Sequence, residues 1–400
     1  MATTKVDWME MDKKYHMSTF KRIPLVLVRG EGVWLWDEND RKFLDFFAGF
    51  AVCCLGHSHP VMTKAIQEQA SKLIQVSQIY YTIPQYKLAD ILMKNSCLNK
   101  IFYQSSGSEA CEGAVKLARR YGMLKLNGAY EVITMLNSWH GRTLAMTAAT
   151  GQSFYQNMYL PLPPGFRNVP YNDIEAVKAA TNERTCAVML ELVQGEGGVN
   201  PADPDYVKQL RAWCDEKGIL LILDEVQTGI ARTGTMFAYQ QYGIEPDIMT
   251  LAKGMGGGVP ISAFLCKDNV NVFASGNHGG TYCGNPLMCA VSYAVIKYIV
   301  DNDICGNVQK VGKHFVDNLK GLQKKHPILN DVRGKGLLLG LGLSKNASVD
   351  VMNACMEEGL LVNAVKPNTI RLAPPLIITS ADADTATGMI DRALTKVESK

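Results

Sequence analysis

Two short apolar runs mark the centre of this 400-residue chain. Residues 219–223 read ILLIL and lead into Asp224, and residues 247–252 read DIMTLA and lead into Lys253 and a glycine cluster. Apolar runs of this length, bounded by turn residues, are typical of strands buried on both faces, as in a parallel sheet. In open α/β sheets, sites form outside the carboxyl ends of the strands. The pattern therefore predicts that Asp224 and Lys253 lie together at one edge of a sheet.

Strand and helix patterns alternate over residues 50–300, which predicts a mostly parallel central sheet of the α/β class. Predicted strands cover residues 100–104, 130–136, 186–191, 219–224, 247–252 and 260–266. Predicted helices cover residues 60–73, 105–121, 205–217 and 287–300. Residues 151–172 are rich in proline and tyrosine, and we expect them to be irregular.

The two ends of the chain have a different pattern. Residues 1–20 are expected to form a helical or irregular arm, followed by a β-meander with strands at Leu25–Gly30, Gly32–Asp37 and Lys42–Phe47. After residue 300 we predict helices at 307–325, 348–359 and 380–397, a strand pair or one bent strand at 331–343, and strands at 360–365 and 369–372. We expect segments 1–49 and 301–400 to form one smaller α+β domain beside a large domain of residues 50–300.

Composition and charge exclude several classes of partner. Hydrophobic residues make up 47% of the chain and charged residues 20%, which is ordinary for a globular protein. The net charge of +3 is too small, and the basic pairs too scattered, to indicate nucleic acid or a membrane surface. The 11 cysteines form no C-x-x-C motif, and the chain has no signal-type apolar segment. We therefore expect a reducing, cytoplasmic location.

The pairing of Asp224 with Lys253 suggests a specific chemistry. A lysine can form a Schiff base with pyridoxal phosphate, and an aspartate can keep the pyridine nitrogen protonated. Each residue alone is more often a helix cap or a solvated charge. A predicted strand also leads into Ser105–Ser108 at a helix start, where backbone N–H groups favour an anion. A serine cap followed by Glu109 explains that segment without a ligand.

Other motifs are weak or fail. His57 and His59 have H-x-H spacing, but no third ligand is nearby in the sequence, so we expect capping histidines and no metal site. Lys253 precedes its glycines, whereas the lysine of a Walker A loop follows them. Val259 breaks the G-x-G-x-x-G pattern of dinucleotide-binding folds, so a nicotinamide-dependent dehydrogenase is poorly supported.

A set of segments along the whole chain resembles the class III aminotransferases, which are pyridoxal-phosphate enzymes of fold type I, and is most similar to the acetylornithine/ornithine aminotransferase branch. The segments are SGSEACEGAVKLARRYG (106–122), WHGRT (139–143), ELVQGEGGV (191–199), LILDEVQTG (221–229), PDIMTLAKGMGGGVP (246–260), TYCGNP (281–286), VRGKGLLLG (332–340) and IRLAPPL (370–376). The resemblance implies a mostly parallel central sheet, with the smaller domain built from both chain ends.

The resemblance also implies a set of cofactor-binding residues, namely Lys253, Asp224, Gln227, Gly107, Ser108, Trp139 and Thr281. Lys253 would bond covalently to pyridoxal phosphate, Asp224 would pair with the ring nitrogen and Gln227 would hydrogen-bond the ring oxygen. The other expected roles are contacts to the phosphate for the Gly107–Ser108 pair and ring stacking for Trp139. Thr281 would reach the cofactor phosphate of a neighbouring subunit, so a homodimer is expected.

Three further residues are expected to bind substrate. By resemblance, Arg142 would hold the substrate carboxylate, Arg371 would hold the α-carboxylate of glutamate or 2-oxoglutarate, and Glu191 would pair with Arg371 when the other substrate is bound. The predicted reaction moves the distal amino group of N-acetylornithine, or of ornithine, to 2-oxoglutarate. In such a reaction Lys253 acts as catalytic base and Asp224 keeps the cofactor ring cationic.

Alternative functions stay open from the sequence. Other amino donors are succinylornithine, 4-aminobutyrate, lysine and putrescine, although Arg142 counts against a simple diamine. An aminomutase of the glutamate-1-semialdehyde type is a second class, and a silent binding protein is a third. Departures from the usual family pattern at Leu192, Ala231, Cys111 and Cys283 bear on the donor rather than on the reaction. The pathway, biosynthetic or catabolic, does not follow from the chain.

Overall fold

The computed structural model describes residues 6–399, so the first five residues of the predicted N-terminal arm lie outside the described residues. The strands are β1 (Leu27–Glu31), β2 (Trp34–Asp37), β3 (Lys42–Asp45), β4 (Lys100–Gln104), β5 (Glu131–Met135), β6 (Phe166–Val169), β7 (Thr185–Leu190), β8 (Val193–Gln194), β9 (Asn200–Pro201), β10 (Leu220–Asp224), β11 (Ile248–Leu251), β12 (Ser262–Cys266), β13 (Leu329–Lys335), β14 (Leu338–Leu343), β15 (Leu360–Leu361), β16 (Asn363–Lys366) and β17 (Thr369–Leu372).

The helices are α1 (Trp8–Tyr15), α2 (Ala48–Ala51), α3 (Pro60–Ala70), α4 (Ile83–Lys94), α5 (Gly107–Lys125), α6 (Leu144–Ala149), α7 (Ser153–Gln156), α8 (Ile174–Ala180), α9 (Pro204–Lys217), α10 (Pro286–Asp301), α11 (Ile304–Lys325), α12 (Ser348–Glu357) and α13 (Ser380–Glu398). The four residues of α2 all have positive φ, so this segment is a left-handed turn. In the part of the chain from 6 to 399, every helix is too short or too polar to cross a membrane.

Seven strands form the central sheet, in the order β4-β12-β11-β10-β7-β5-β6. Neighbouring strands run parallel, except that β12 is antiparallel to both β4 and β11. All residues of β7, β10 and β11 are buried, which explains their uninterrupted apolar sequences. Asp224 pairs in register with Thr250 on β11, so the residues after both strands reach the same edge of the sheet.

The two chain ends share their secondary structure. The sheet β1-β2-β3-β15 combines the N-terminal meander with a C-terminal strand, because Leu360 pairs in parallel with Leu44. A second sheet, β13-β14-β17-β16, is antiparallel and carries Arg371 on β17. Phe315 of α11 packs edge-to-face on Phe46, with ring centroids 5.4 Å apart. Residues far apart in the sequence thus form one apolar core.

The α/β class and the mostly parallel sheet are confirmed, and one local prediction is wrong. Residues 151–172 are not irregular throughout, because they contain α7 and the strand β6. Strand β6 lies at the sheet edge, and only Val169 of its four residues is buried, so its sequence lacks an apolar run. Residues 331–343 are a strand pair that turns at Gly336, which has a φ of 56°. The division at residues 49 and 300 stays a prediction.

We predict that Phe315→Ala destabilises the protein by about 3–5 kcal/mol, because it removes a fully buried aromatic ring and leaves a cavity between the two chain ends. The measurement is urea denaturation of the purified protein. Val349→Ala is the matched control, because Val349 is an exposed apolar residue on α12, and its free energy of unfolding should change by less than about 0.5 kcal/mol. Equal losses in both variants would contradict the packing argument.

Candidate active site

Asp224 ends β10 and is only 3% exposed. One carboxylate oxygen, Oδ2, lies 2.8 Å from Nδ1 of His140 and accepts from the Cys111 thiol at 3.3 Å. The other, Oδ1, accepts from the Val226 backbone N–H at 3.0 Å and from the Thr250 hydroxyl at 3.2 Å. Burial by itself raises the pKa of Asp224, but the hydrogen bond and charge of His140 outweigh it and hold that pKa below its ordinary value. The carboxylate is therefore ionised and fixed in orientation.

Lys253 directly follows β11 and is the first residue of a 3-10 turn, Lys253–Met255. Its φ of 44° lies in the left-handed region, which is uncommon for a residue with a side chain and often marks a functional position. Burial lowers the pKa of Lys253, while the negative charge of Glu196 opposes that effect. A lysine with a lowered pKa presents more of the neutral amine, which is the nucleophilic form.

Helix α5 begins beside these two residues. Ser106 caps the helix, because its hydroxyl accepts from the Glu109 backbone N–H. The first N–H groups of any helix, here those of Gly107 and Ser108, have no partner within the helix and attract an anion. A Cβ at Gly141 would collide with the Ser108 hydroxyl, so this glycine allows the 139–143 loop to close over the start of α5. The geometry supports an anion site at this helix end.

These groups line one cavity of about 370 Å³. Gln227 projects into it, and a Cβ at Gly195 would collide with the Gln227 amide oxygen, so the glycine makes room for that side chain. Trp139 lines another wall, with its ring edge-on to Tyr155 at 5.0 Å between centroids. A buried carboxylate, an amine, a helix N-terminus and an aromatic ring are the groups that pyridoxal phosphate requires. The residues present therefore fit this cofactor.

Arg371 is the buried cation of the site, with 1% of its side chain exposed. Its Nη1 donates to Glu196 at 2.5 Å and to the Gln227 amide oxygen at 3.3 Å, and its Nη2 donates to Asn363 at 2.9 Å. In this structure Glu196, and not Glu191, makes the ion pair with Arg371. Partial burial by itself raises the pKa of Glu196, but the charge of Arg371 opposes it and the pKa lies below its ordinary value.

Glu191 is held by backbone groups. Its carboxylate accepts from the N–H of Trp139 at 2.8 Å and from the N–H of Gly195 at 3.1 Å. Both carboxylate oxygens are thus engaged, which explains physically why Glu191 does not reach Arg371. Burial raises the pKa of Glu191 to about 7. Glu191 positions the loop that carries Trp139 and lines the cavity in this structure.

Besides Arg371, which meets the cavity through Glu196 and Gln227, two of the predicted site residues lie outside the cavity lining. Arg142 is exposed, and its guanidinium lies 4.7 Å from the centroid of the Trp139 ring and 5.3 Å from that of Tyr155. Thr281 is exposed in the loop before α10, where its carbonyl oxygen accepts from the Gln75 side chain. Neither position contradicts the expected role, since the first borders the cavity mouth and the second was expected to act in a neighbouring subunit.

Sequence reasoning missed two residues of this site. His140 and Glu196 lie inside the segments quoted for the resemblance, but neither was assigned a role. Their positions within the motifs could have identified them. His140 directly follows Trp139, and Glu196 stands between two glycines, five residues after Glu191. Cys111 joins them, since its thiol, His140 and Asp224 place potential metal-ligand atoms within 4.8 Å of one another. Their hydrogen bonds explain this clustering, and the absence of a metal stays a prediction.

The Aminotransferase class-III family matches residues 16–394. The acetylornithine aminotransferase of Caldanaerobacter subterraneus is 47% identical over 387 residues, which covers 96% of this chain and 98% of that protein. The acetylornithine aminotransferase of Methanocaldococcus jannaschii is 45% identical over 395 residues, which covers 98% of this chain and 99% of that protein. The crystal structure of Toxoplasma gondii ornithine aminotransferase superposes with a TM-score of 0.94 at 31% identity, covering 98% of this chain and 95% of that one.

A buried aspartate and a lysine at the carboxyl edge of a mostly parallel sheet, beside a helix N-terminus, define the site of a pyridoxal-phosphate enzyme of fold type I. The chain belongs to the class III aminotransferase family. It is an aminotransferase, and its cofactor is pyridoxal phosphate.

We predict that Glu191→Gln flattens the pH dependence of stability. A glutamate with a pKa of about 7 in the folded state and 4.5 in the unfolded state binds more protons when folded, so stability falls as pH rises from about 4.5 to 7. This fall amounts to at most about 3 kcal/mol. The glutamine does not titrate, so the variant should lose much of that slope in urea denaturation of the apoprotein. Glu175→Gln, at an exposed glutamate, should keep the wild-type slope, and an unchanged slope in Glu191→Gln would contradict the assignment.

Proposed function

We propose that this enzyme moves the distal amino group of N-acetylornithine, or of ornithine, to 2-oxoglutarate, giving the semialdehyde and glutamate. The near-complete coverage of relatives named acetylornithine aminotransferase supports the donor. The observation that carries the proposal is the ion pair between buried Arg371 and partly buried Glu196, which lies beside Lys253. An arginine whose internal partner can move away suits an enzyme that must accept both a dicarboxylate and a different donor.

The surroundings of each residue support its proposed cofactor role. Lys253 would hold the cofactor covalently, Asp224 would keep the ring nitrogen protonated and Gln227 would hydrogen-bond the ring oxygen. Gly107 and Ser108 would bind the phosphate at the start of α5, and Trp139 would stack on the ring. Bound pyridoxal phosphate supplies an electron sink for the electrons left on the substrate carbon when its proton is removed.

Lys253 is the residue we assign to proton transfer. Burial lowers the pKa of Lys253, which favours the neutral amine, so Nζ would be the base that takes and returns the substrate proton in the loaded enzyme. Asp224 stays ionised through this step, because His140 stabilises its charge. The walls formed by Trp139 and the buried β10 and β11 ends restrict water at the reacting atoms.

Two arginines would recognise the substrate carboxylates. Arg142, at the cavity mouth, is placed to bind the carboxylate distant from the reacting amine, and planar bidentate contacts would orient that substrate. Arg371 would bind the α-carboxylate of glutamate or 2-oxoglutarate after Glu196 moves away. With N-acetylornithine bound, Glu196 would stay on Arg371 and neutralise it, which takes the role first expected of Glu191.

We further propose a homodimer in which Thr281 contributes to the phosphate site of the partner subunit. Exposed apolar side chains near the Thr281 loop support an interface, with Ile79, Tyr81 and Ile83 each more than two-thirds exposed. Gln75 and Gln85 bond backbone carbonyls of the 281–284 loop, which links that surface to Thr281. A cytoplasmic location, a place in arginine biosynthesis and domains divided at residues 49 and 300 complete the proposal.

Absorbance spectroscopy of the purified holoenzyme tests the substrate directly. N-acetylornithine, ornithine, 4-aminobutyrate and putrescine are added in turn without an acceptor. We expect N-acetylornithine or ornithine to remove the visible cofactor band at the lowest concentration, and 2-oxoglutarate to restore it. If only 4-aminobutyrate or putrescine removes the band, that compound is the donor and the proposed donor is wrong. If none of the four compounds removes the band, the proposed reaction is refuted.

We predict that Glu196→Gln shifts the balance between donors. Without the carboxylate, Arg371 keeps its positive charge exposed to every substrate, so the ratio of kcat/KM for N-acetylornithine to that for glutamate should fall by about tenfold, the effect of losing one charged pair. Steady-state kinetics with both donors measure it. Glu216→Gln, at an exposed ion pair on α9, is the control and should leave the ratio unchanged. An unchanged ratio in Glu196→Gln would refute the role of the Arg371–Glu196 pair.

A further inference from the structure

The ion pair between Arg371 and Glu196 raises the question of where the Glu196 carboxylate goes when a substrate carboxylate takes its place. Glu196 stands in the tip of the hairpin between β8 and β9, and its side chain is 25% exposed. Arg371 would stay oriented without it, because Asn363 accepts from Nη2 of the arginine at 2.9 Å. A partly buried carboxylate that leaves a charged partner is costly unless another donor receives it.

The backbone on both sides of Glu196 is anchored. The N–H of Gly195 donates to the Glu191 carboxylate at 3.1 Å. The carbonyl oxygen of Gly198 accepts from Nε of Arg333 at 3.0 Å and from Nη2 of the same residue at 2.6 Å. We therefore expect the carboxylate to move by rotation of the Glu196 side chain, so that its next partner must lie beside the hairpin tip.

Lys366, on β16, lies against this hairpin tip. A Cβ at Gly198 would lie 3.6 Å from Cγ of Lys366. The lysine is half-buried, and within the described chain, residues 6–399, it forms no ion pair with a carboxylate. Its ammonium donates to the neutral amide oxygen of Gln152 at 3.0 Å, which leaves two of its three N–H donors available. A half-buried ammonium without an anionic partner is a suitable receiver for a displaced carboxylate.

The charges around Glu196 also select Lys366. The cations that act on the Glu196 carboxylate are Arg371, Lys253 and Lys366. Burial raises the pKa of Glu196, and the charges of these cations lower it. Burial lowers the pKa of Lys366, and the negative charge of Glu196 opposes that effect. With acceptor bound, Arg371 would be occupied by substrate and Lys253 by the cofactor, so Lys366 is the cation that stays available.

We propose that Lys366 is a positioning residue for the acceptor, which receives the carboxylate of Glu196 when the α-carboxylate of glutamate or 2-oxoglutarate binds to Arg371. The inference rests on the proposed function for the roles of Arg371 and Glu196. Lys366 touches neither substrate nor cofactor in this account. By stabilising the displaced Glu196 it raises the fraction of enzyme in which Arg371 is open, and the apparent Kd of the acceptor falls accordingly.

Glutarate, a dicarboxylate with no amino or keto group, tests the acceptor site of the holoenzyme. Calorimetry measures its Kd, and steady-state kinetics measure kcat/KM for 2-oxoglutarate and for N-acetylornithine. We expect Lys366→Met to raise the Kd for glutarate and to lower kcat/KM for 2-oxoglutarate by about three- to fivefold, the effect of losing a partly exposed ion pair. The value for N-acetylornithine should not change, because Glu196 stays on Arg371 with that donor. Lys366→Arg keeps the charge and should keep the wild-type Kd.

Three further variants separate this role from other effects of the lysine. Lys366→Gln keeps an N–H donor for Gln152 but has no charge, so it should weaken glutarate binding as much as Lys366→Met. Lys335→Met is the matched control, because Lys335 is another half-buried lysine of the same sheet, and it should leave the Kd unchanged. In a Glu196→Gln background, Lys366→Met should have no further effect, since no carboxylate is left to receive.

The inference is overturned if Lys366→Met leaves the Kd unchanged, if Lys366→Gln restores it, or if the loss persists in the Glu196→Gln background. An equal fall in kcat/KM for N-acetylornithine would overturn it as well, because the effect would not be specific to the acceptor. Glutarate binding needs no turnover, so an enzyme inactive with N-acetylornithine would refute the proposed donor while the glutarate comparison still tests Lys366. A wild-type enzyme that does not bind glutarate would overturn both.

Discussion

A single buried carboxylate organises this active site. Asp224 is ionised in an apolar sheet, and a buried charge of this kind is costly unless several donors surround it. Four groups from four different segments supply those hydrogen bonds: the imidazole of His140, the thiol of Cys111, the hydroxyl of Thr250 and the Val226 N–H. The loop after β5, helix α5 and strand β11 are therefore tied to the end of β10. The geometry of the cofactor cavity depends on this one constraint.

The position of Arg371 depends on the C-terminal part of the chain. Arg371 belongs to β17 in the C-terminal sheet, yet its guanidinium reaches Glu196 and Gln227 of the central unit. Arg232 reinforces this junction, because the buried guanidinium donates to the carbonyl oxygens of Leu337 and Pro374. The proposed acceptor site at Arg371 therefore combines a strand of the C-terminal sheet with residues that follow strands of the central sheet, whereas Asp224 and Lys253 both belong to the central sheet.

The clustering of Asp224 and Lys253 was predictable because each residue directly follows its strand in the sequence. Continuous apolar runs ending at Asp224 and Lys253 indicate buried parallel strands, and topology brings neighbouring strand ends together. The partner of Arg371 was not predictable in the same way. Glu191 and Glu196 are five residues apart on one loop, and only the backbone path decides which carboxylate is taken by N–H groups and which one faces the arginine. Edge strand β6 was missed because only Val169 of its four residues is buried, so the segment has no apolar run.

The most direct test of the central claim is to locate the cofactor covalently. The purified holoenzyme is reduced with borohydride, digested, and its peptides are mapped by mass spectrometry. The account predicts a reduced pyridoxyl group on the peptide containing Lys253, and loss of that label in Lys253→Ala. In Asp224→Ala the label on Lys253 should weaken, because the ring loses its anionic partner. A pyridoxyl group on another lysine, or full labelling that does not depend on Asp224, would contradict the account.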